Sequence, residues 1–203
     1  YNVVIKMKTM ALHAEPTELK TNLQEEVRML QGKADAVALY YGLCGNFGWD
    51  ISKWAEENGM PMKVLTFRDT EGRVVDDCVG VTVGGLDGYR RLLKAFTGVM
   101  LFTPAIATNW VDFLCASDMA KGYVDPKSPE ESLKEIFDMV GYNSVVQIDN
   151  GYEPREDFDR CTQDFADKMG FRILQAPDDF IDDTPARNLY SECKEVLGQP
   201  GDV

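Results

Sequence analysis

Short apolar runs alternate along this chain with longer segments of helical periodicity, and this alternation constrains the fold more than any other feature. The runs are rich in strand formers and too short for core helices, so each predicts a buried strand. Strands are predicted at 3–10, 36–41, 62–67, 99–102, 144–148 and 171–174. Helices are predicted between Pro16 and Gly32, over 49–58, 89–96 and 109–121, from the Ser128 cap to Val140, and over 155–169 and 185–197. Strands that alternate with helices favour a mainly parallel sheet with helices on both faces, a three-layer α/β fold.

Length and charge narrow the classes of function. A chain of 203 residues can form one compact domain or two small lobes, and we predict a single α/β domain over residues 1–203. Because the chain begins at Tyr1 rather than methionine, we expect an N-terminal segment to be missing. The net charge of −13 would repel a phosphate backbone, which argues against nucleic-acid binding.

The apolar runs and the cysteines indicate whether the protein enters a membrane and which cellular compartment it occupies. No apolar run reaches membrane-spanning length, so we expect no membrane partner. The five cysteines are an odd number at wide, irregular spacing, which argues against a disulfide framework. A reducing compartment follows, and we predict a cytoplasmic protein.

Cys44 lies in a glycine-rich turn that follows the predicted strand at 36–41. Gly42 and Gly45 allow backbone conformations that are closed to other residues. In Rossmann-like folds, ligands bind at the carboxyl ends of the strands. We therefore predict a site at this turn, with Gly42, Gly45 and Asn46 as candidate cofactor-binding residues.

Cys78 lies in a segment with two possible structures. The alternating valines of 79–83 are typical of a strand, whereas Asp77 before a small apolar segment could equally cap a helix. A cysteine at a helix start or in a glycine turn meets N–H groups that favour the thiolate, which is the metal-binding form. Asp76 and Asp77 disfavour a free thiolate unless a cation is present, so a bound metal is more attractive than a bare nucleophile.

His13 is the single histidine of the chain and follows the strand predicted at 3–10. If that strand lies beside 36–41, His13 and Cys44 emerge at the same edge of the sheet. One histidine and two cysteines are a sound set of three zinc or iron ligands, with a fourth position left for substrate or water. We therefore predict His13, Cys44 and Cys78 as metal ligands.

The other candidates have simpler explanations. Cys115, Cys161 and Cys193 recur at helical spacing with apolar residues, as expected of small buried hydrophobes. Trp110 could line a cofactor pocket or pack in the core. Asp149 opens an Asp-Asn-Gly turn after a predicted strand, and this turn could be a plain connection or a loop that faces a ligand.

Several of these residues fall in motifs that resemble the DUF1638 family. The motifs are Tyr41-Gly-Leu-Cys-Gly-Asn46, Asp77-Cys78, Leu12-His13 with Pro16 and Leu19, Trp110, and Ile148-Asp-Asn-Gly151. The resemblance therefore spans most of the chain. It departs at Asp76, where the family commonly has a histidine, and at Asn109, where a glycine usually precedes the tryptophan.

The resemblance implies an association with corrinoid-dependent methyl-group metabolism in anaerobes, without an established reaction. Our leading hypothesis is a metal-binding protein of that metabolism, in which the metal activates a thiol or water and Asp77 orients a ligand or accepts a proton. A corrinoid is a possible cofactor, and a methyl carrier, a corrinoid protein or a methyltransferase is a possible partner. Two alternatives stay open: a non-enzymatic accessory that binds a corrinoid or a methyltransferase, and a metal-free protein with redox-active cysteines.

Overall fold

A computed structural model describes residues 3–9, 12–13, 15–44, 48–115 and 128–198. The chain divides into two compact units. Unit 1 comprises residues 1–86 and 183–203, and unit 2 comprises residues 87–182. The single domain over residues 1–203 remains a prediction.

Helices and strands alternate along the described residues. In chain order they are α1 (Pro16–Leu30), β1 (Ala36–Leu39), α2 (Ile51–Glu57), β2 (Lys63–Thr66), α3 (Cys78–Thr82), α4 (Leu86–Ala95), β3 (Val99–Phe102), α5 (Pro104–Thr108), a π-helical turn (Val111–Cys115), α6 (Pro129–Val140), β4 (Ser144–Gln147), α7 (Arg155–Met169), β5 (Arg172–Gln175), a 3-10 turn (Asp178–Phe180) and α8 (Thr184–Val196). Within the described residues, every helix is too short or too polar to cross a bilayer.

Unit 1 is built on a two-stranded parallel sheet in which β1 pairs with β2 and Leu39 lies opposite Thr66. The side chains of Val37, Leu39 and Val64 pack on one face, against a core formed by α1 and α2. Ala38 and Leu65 point to the opposite face, where α8 contributes Leu189. This alternation follows from the two-residue period of a strand, and it gives the small sheet helices on both faces.

Unit 2 is built on a three-stranded parallel sheet in the order β3-β4-β5. The central strand β4 is buried along its whole length, as expected for a parallel strand covered on both faces. Aromatic rings fill the core beside it, with Phe165 of α7 against Phe102, Trp110 and Phe171. The mixed α/β class with parallel sheets and surrounding helices agrees with the three-layer fold predicted from the sequence.

Most predicted elements are confirmed to within a few residues, and the open choice around Cys78 is resolved. The segment after Asp77 is the helix α3 and not a strand, because the Asp77 carboxylate accepts a hydrogen bond from the backbone N–H of Gly80. The helix predicted over 109–121 begins earlier, at Pro104, and gives way to the π-helical turn. Residues 116–121 of that prediction lie outside the described residues.

The strand predicted at 3–10 is wrong for residues 3–9, which form no strand. Lys6 and Lys8 instead form ion pairs with Glu26 of α1, with Nζ–O distances of 2.7 and 2.9 Å. Ile5 and Met7 are 80% and 88% exposed. The alternation of apolar and basic residues therefore reflects a segment tied to α1 by its charged side chains, and the apolar side chains have no sheet to pack against.

The capping box at Ser128 fixes the start of α6, and substitution of Ser128 tests its contribution to stability. Its hydroxyl accepts a hydrogen bond from the N–H of Glu131, and the Glu131 carboxylate accepts one from the N–H of Ser128. Ser128→Ala should lower the free energy of unfolding by about 1 kcal/mol, measured by urea unfolding, because one helical N–H loses its acceptor. Ser128→Asn should stay close to the wild type because asparagine also caps. Equal destabilisation by both substitutions would contradict the capping role.

Candidate functional site

The turn after β1 lies against the segment that leads into α3. The N–H of Leu43 donates to the carbonyl of Val75 at 3.3 Å, and the N–H of Cys44 donates to the carbonyl of Asp76 at 2.7 Å. Gly42 makes this approach possible, because a Cβ there would lie 2.8 Å from the Val75 oxygen and closer still to the Asp76 oxygen. Gly42 is therefore needed for space, whereas the sequence argument had assigned it a special backbone conformation.

His13 and Cys44 lie together in unit 1. The Nε2 atom of His13 is 3.2 Å from the Sγ atom of Cys44, and both residues are partly buried. His13 reaches the turn from a short 3-10 turn, and its neighbour Leu12 packs on the α1–α2 core. The two residues meet as expected from the sequence, although the strand that was expected to bring His13 there does not form.

Cys78 and two carboxylates are also near Cys44. Cys78 is the first residue of α3, directly after the Asp77 cap. The charges of Cys78, Asp77 and Asp76 all act on the Cys44 thiol. None of the five cysteines, which all lie within the described residues, forms a disulfide.

The described ranges contain no group of three or more His, Cys, Asp or Glu side chains arranged to hold a metal ion. His13 and Cys44 are therefore a pair of potential donors rather than a complete ligand set within those ranges. The metal-ligand roles of His13, Cys44 and Cys78 remain predictions.

Burial keeps both members of this pair neutral, and negative charge adds to its effect at Cys44. Burial first, and then the charges of Cys78, Asp77 and Asp76, raise the pKa of the Cys44 thiol to about 12. Burial lowers the pKa of His13, so its imidazole is uncharged at neutral pH. A thiolate–imidazolium pair of the kind found in cysteine nucleophiles is therefore disfavoured here.

Tyr41 is a contributor to the site that the sequence argument did not single out. Its hydroxyl donates a hydrogen bond to the carbonyl of Cys44 and so closes the turn from the strand side. Burial is the main cause that raises the pKa of Tyr41, so its hydroxyl stays protonated and remains a donor. The spacing from Tyr41 to Cys44, across one glycine and one leucine, is the signal that could have indicated this contact.

Four other candidates lie outside the described residues or belong to unit 2. Gly45 and Asn46 lie outside the described residues. Trp110 belongs to unit 2, where its ring is buried and its Nε1–H donates to the Asp164 carboxylate at 3.1 Å. Asp149 also belongs to unit 2, where it accepts from the N–H of Gly151 at 2.8 Å and so forms a turn.

Fold and site together define an α/β protein that holds a histidine and a cysteine side by side after the first strand of a parallel pair. A family model described as "Protein of unknown function (DUF1638)" matches residues 7–180, so this chain belongs to the DUF1638 family. No curated protein and no solved structure matches the chain.

Gly42→Ala tests the close approach that forms the site. The added Cβ should push the Cys44 turn away from Asp76, and alkylation of Cys44 in chelator-treated protein should become faster as the thiol gains exposure. The rate can be measured by mass spectrometry. Gly59→Ala is the control for backbone strain without a clash, because Gly59 has a positive φ and no atom lies within 4 Å of its added Cβ. Equal Cys44 reactivity in both variants would contradict the steric requirement at Gly42.

Asp77→Asn tests the electrostatic part of the site. Asparagine keeps the helix cap but removes a charge that raises the pKa of Cys44. With a pKa of about 12, roughly one Cys44 thiol in ten thousand is ionised at pH 8. At pH values below this raised pKa, each increase of one pH unit raises the thiolate fraction about tenfold. The alkylation rate of Cys44 should rise by the same factor.

The expected result for Asp77→Asn is a severalfold faster alkylation of Cys44 at pH 8, since its pKa falls. Asp50→Asn is the matched control: Asp50 caps α2 in the same way and is not among the groups that act on Cys44. An unchanged rate in Asp77→Asn would show that the carboxylate does not act on the thiol.

Proposed function

We propose that this protein binds one metal ion, zinc or iron, through His13, Cys44 and Cys78 and serves corrinoid-dependent methyl-group metabolism. The observation that supports the proposal is the 3.2 Å separation of His13 Nε2 and Cys44 Sγ. Zinc–sulfur and zinc–nitrogen bonds of about 2.3 and 2.0–2.1 Å at a tetrahedral angle put two such donors roughly 3.6 Å apart. The pair therefore needs to open by only a few tenths of an ångström to bind zinc.

Cys78 is the third ligand in this proposal. It starts α3, and the Asp77 carboxylate holds that helix start through the N–H of Gly80 at 2.7 Å. Cys78 is close enough for its charge to act on the Cys44 thiol, and in this proposal a side-chain rotation completes the ligand set. Three protein ligands would leave the fourth position of a tetrahedral site for substrate or water.

The charges around the pair favour a cation. Asp76 and Asp77 both act on Cys44, so two thiolates at this place would add to existing negative charge. A divalent cation offsets that repulsion, and thiolate and imidazole donors suit zinc and iron. The same arrangement is poorly suited to a metal-free nucleophile.

The chemistry follows from the donor set and the family association. A bound metal would supply Lewis acidity that lowers the pKa of a coordinated thiol or water. Asp77 would orient that ligand or accept its proton. The methyl group would come from a small-molecule or protein-bound carrier, with a corrinoid protein or a methyltransferase as the partner in the cytoplasm.

Metal content of the anaerobically purified protein tests this proposal. We expect about one zinc or iron per chain by elemental analysis, and loss of that metal in Cys44→Ser and in Cys78→Ser. Cys161→Ser is the control, because Cys161 lies on α7 in unit 2. Stoichiometric metal in all three variants, or none in wild-type protein reconstituted with Zn²⁺ or Fe²⁺, would overturn the proposal.

The same preparation separates the two alternatives. A corrinoid spectrum in the purified protein would favour an accessory that carries or delivers the cofactor. The second alternative is a metal-free redox pair of Cys44 and Cys78, two free thiols close enough for the charge of one to act on the other. In that case mild oxidation should reduce the free thiols from five to three, and the disulfide should join Cys44 to Cys78.

A further inference from the structure

Unit 2 contains a cleft beside the carboxyl ends of β4 and β5, apart from the residues of the proposed metal site. The cleft has a volume of about 390 Å³, which is within the range of sites for small molecules. Its polar lining includes Asp149, Asn150, Arg155, Gln175 and Asp178. In parallel α/β sheets this edge is where ligands bind.

A buried amide holds two of the residues that line this cleft. Gln147, the last residue of β4, is 1% exposed. Its Nε2 donates to Asp159 and Thr162 at 3.0 Å each, and its Oε1 accepts from Arg155 at 3.3 Å and from Gln175. Every hydrogen-bonding position of the amide is thus used, which is the condition under which a buried polar side chain is tolerated.

The network holds Arg155 in one orientation at the cleft. Its Nη1 donates to Asp149 at 2.7 Å and its Nε donates to Asp159 at 2.9 Å, in addition to the Nη2 bond to Gln147. A guanidinium has five N–H bonds. Within the described part of the chain, two of them, one on each terminal nitrogen, have no acceptor.

The charges at the cleft select the kind of ligand. The two remaining N–H bonds of Arg155, one on each terminal nitrogen, can donate to the oxygens of a ligand carboxylate. A simple anion would meet repulsion, because Asp149 and Asp178 line the same cleft and Asp149 already pairs with Arg155. The Asp178 carboxylate is exposed, and among the described residues it has no hydrogen-bond or ion-pair partner. A ligand that carries its own positive charge would pair with Asp178 and cancel the repulsion.

We propose that this cleft binds a free α-amino acid, with its carboxylate on Arg155 and its ammonium group facing Asp178 and Asp149. The site uses residues of unit 2 alone and does not depend on the proposed metal function. It also gives a role to the Asp149 turn that the metal site leaves unused.

Binding of the twenty standard L-α-amino acids to the full chain tests this proposal. A shift of the unfolding temperature identifies those that bind, and calorimetry gives the dissociation constant. Each binder is compared with its decarboxylated amine and its deaminated acid, which for alanine are ethylamine and propionate. We expect at least one amino acid to bind and both single-charge analogues to bind about tenfold more weakly or worse.

Three variants locate the binding. Arg155→Lys keeps the positive charge but loses the planar guanidinium and its several N–H donors. Asp178→Asn removes the negative partner of the ammonium group. Each substitution should weaken binding about tenfold or more. Asp179→Asn is the matched control, since Asp179 does not line the cleft, and it should bind as the wild type does. If Arg155→Lys fails to fold, Asp178→Asn decides the result alone.

Three results would overturn the proposal: no binding of any of the twenty amino acids, equal binding of the acid or the amine analogue, or wild-type affinity in Asp178→Asn. Metal content is unaffected by these variants if the sites are independent. Failure of the amino-acid site can therefore be distinguished from failure of the metal site.

Discussion

The candidate site of unit 1 depends on one backbone contact, the hydrogen bond from the N–H of Cys44 to the carbonyl of Asp76. The partner segment is itself anchored to the end of β2, because the N–H of Val75 donates to the carbonyl of Phe67 at 2.9 Å. Since β2 pairs with β1, the two strand ends and their loops form one closed arrangement. Gly42 is the residue that lets the loops approach, and a Cβ at that place would separate them.

Both sites handle buried polar groups under the same physical rule, that such groups need partners or must stay neutral. In unit 1 the thiol of Cys44 and the imidazole of His13 stay neutral because burial shifts their pKa values away from the charged forms. In unit 2 the buried amide of Gln147 is fully hydrogen-bonded, and the charge of Arg155 is held between two carboxylates. The first arrangement underlies the proposed metal site, and the second underlies the proposed amino-acid site.

Local signals predicted the elements well where they reflect local physics. The Ser128 cap, the stripe of α7 and the apolar run of β3 depend on neighbours a few residues away, and each appears where expected. The strand prediction for the N-terminal segment failed because alternation of apolar and polar residues shows only that a strand could form. A strand also needs a sheet edge to pair with, and in residues 3–9 the lysines bind α1 instead.

The sequence by itself determined the α/β class and the position of the Cys44 turn, because periodicity and glycine act over short distances. Only the tertiary structure decided that His13 meets Cys44, since their contact spans thirty-one residues and does not use the expected strand. It also assigned Trp110 and Asp149 to unit 2, whereas the pair belongs to unit 1. Such pairings depend on how distant segments pack, which a local pattern does not encode.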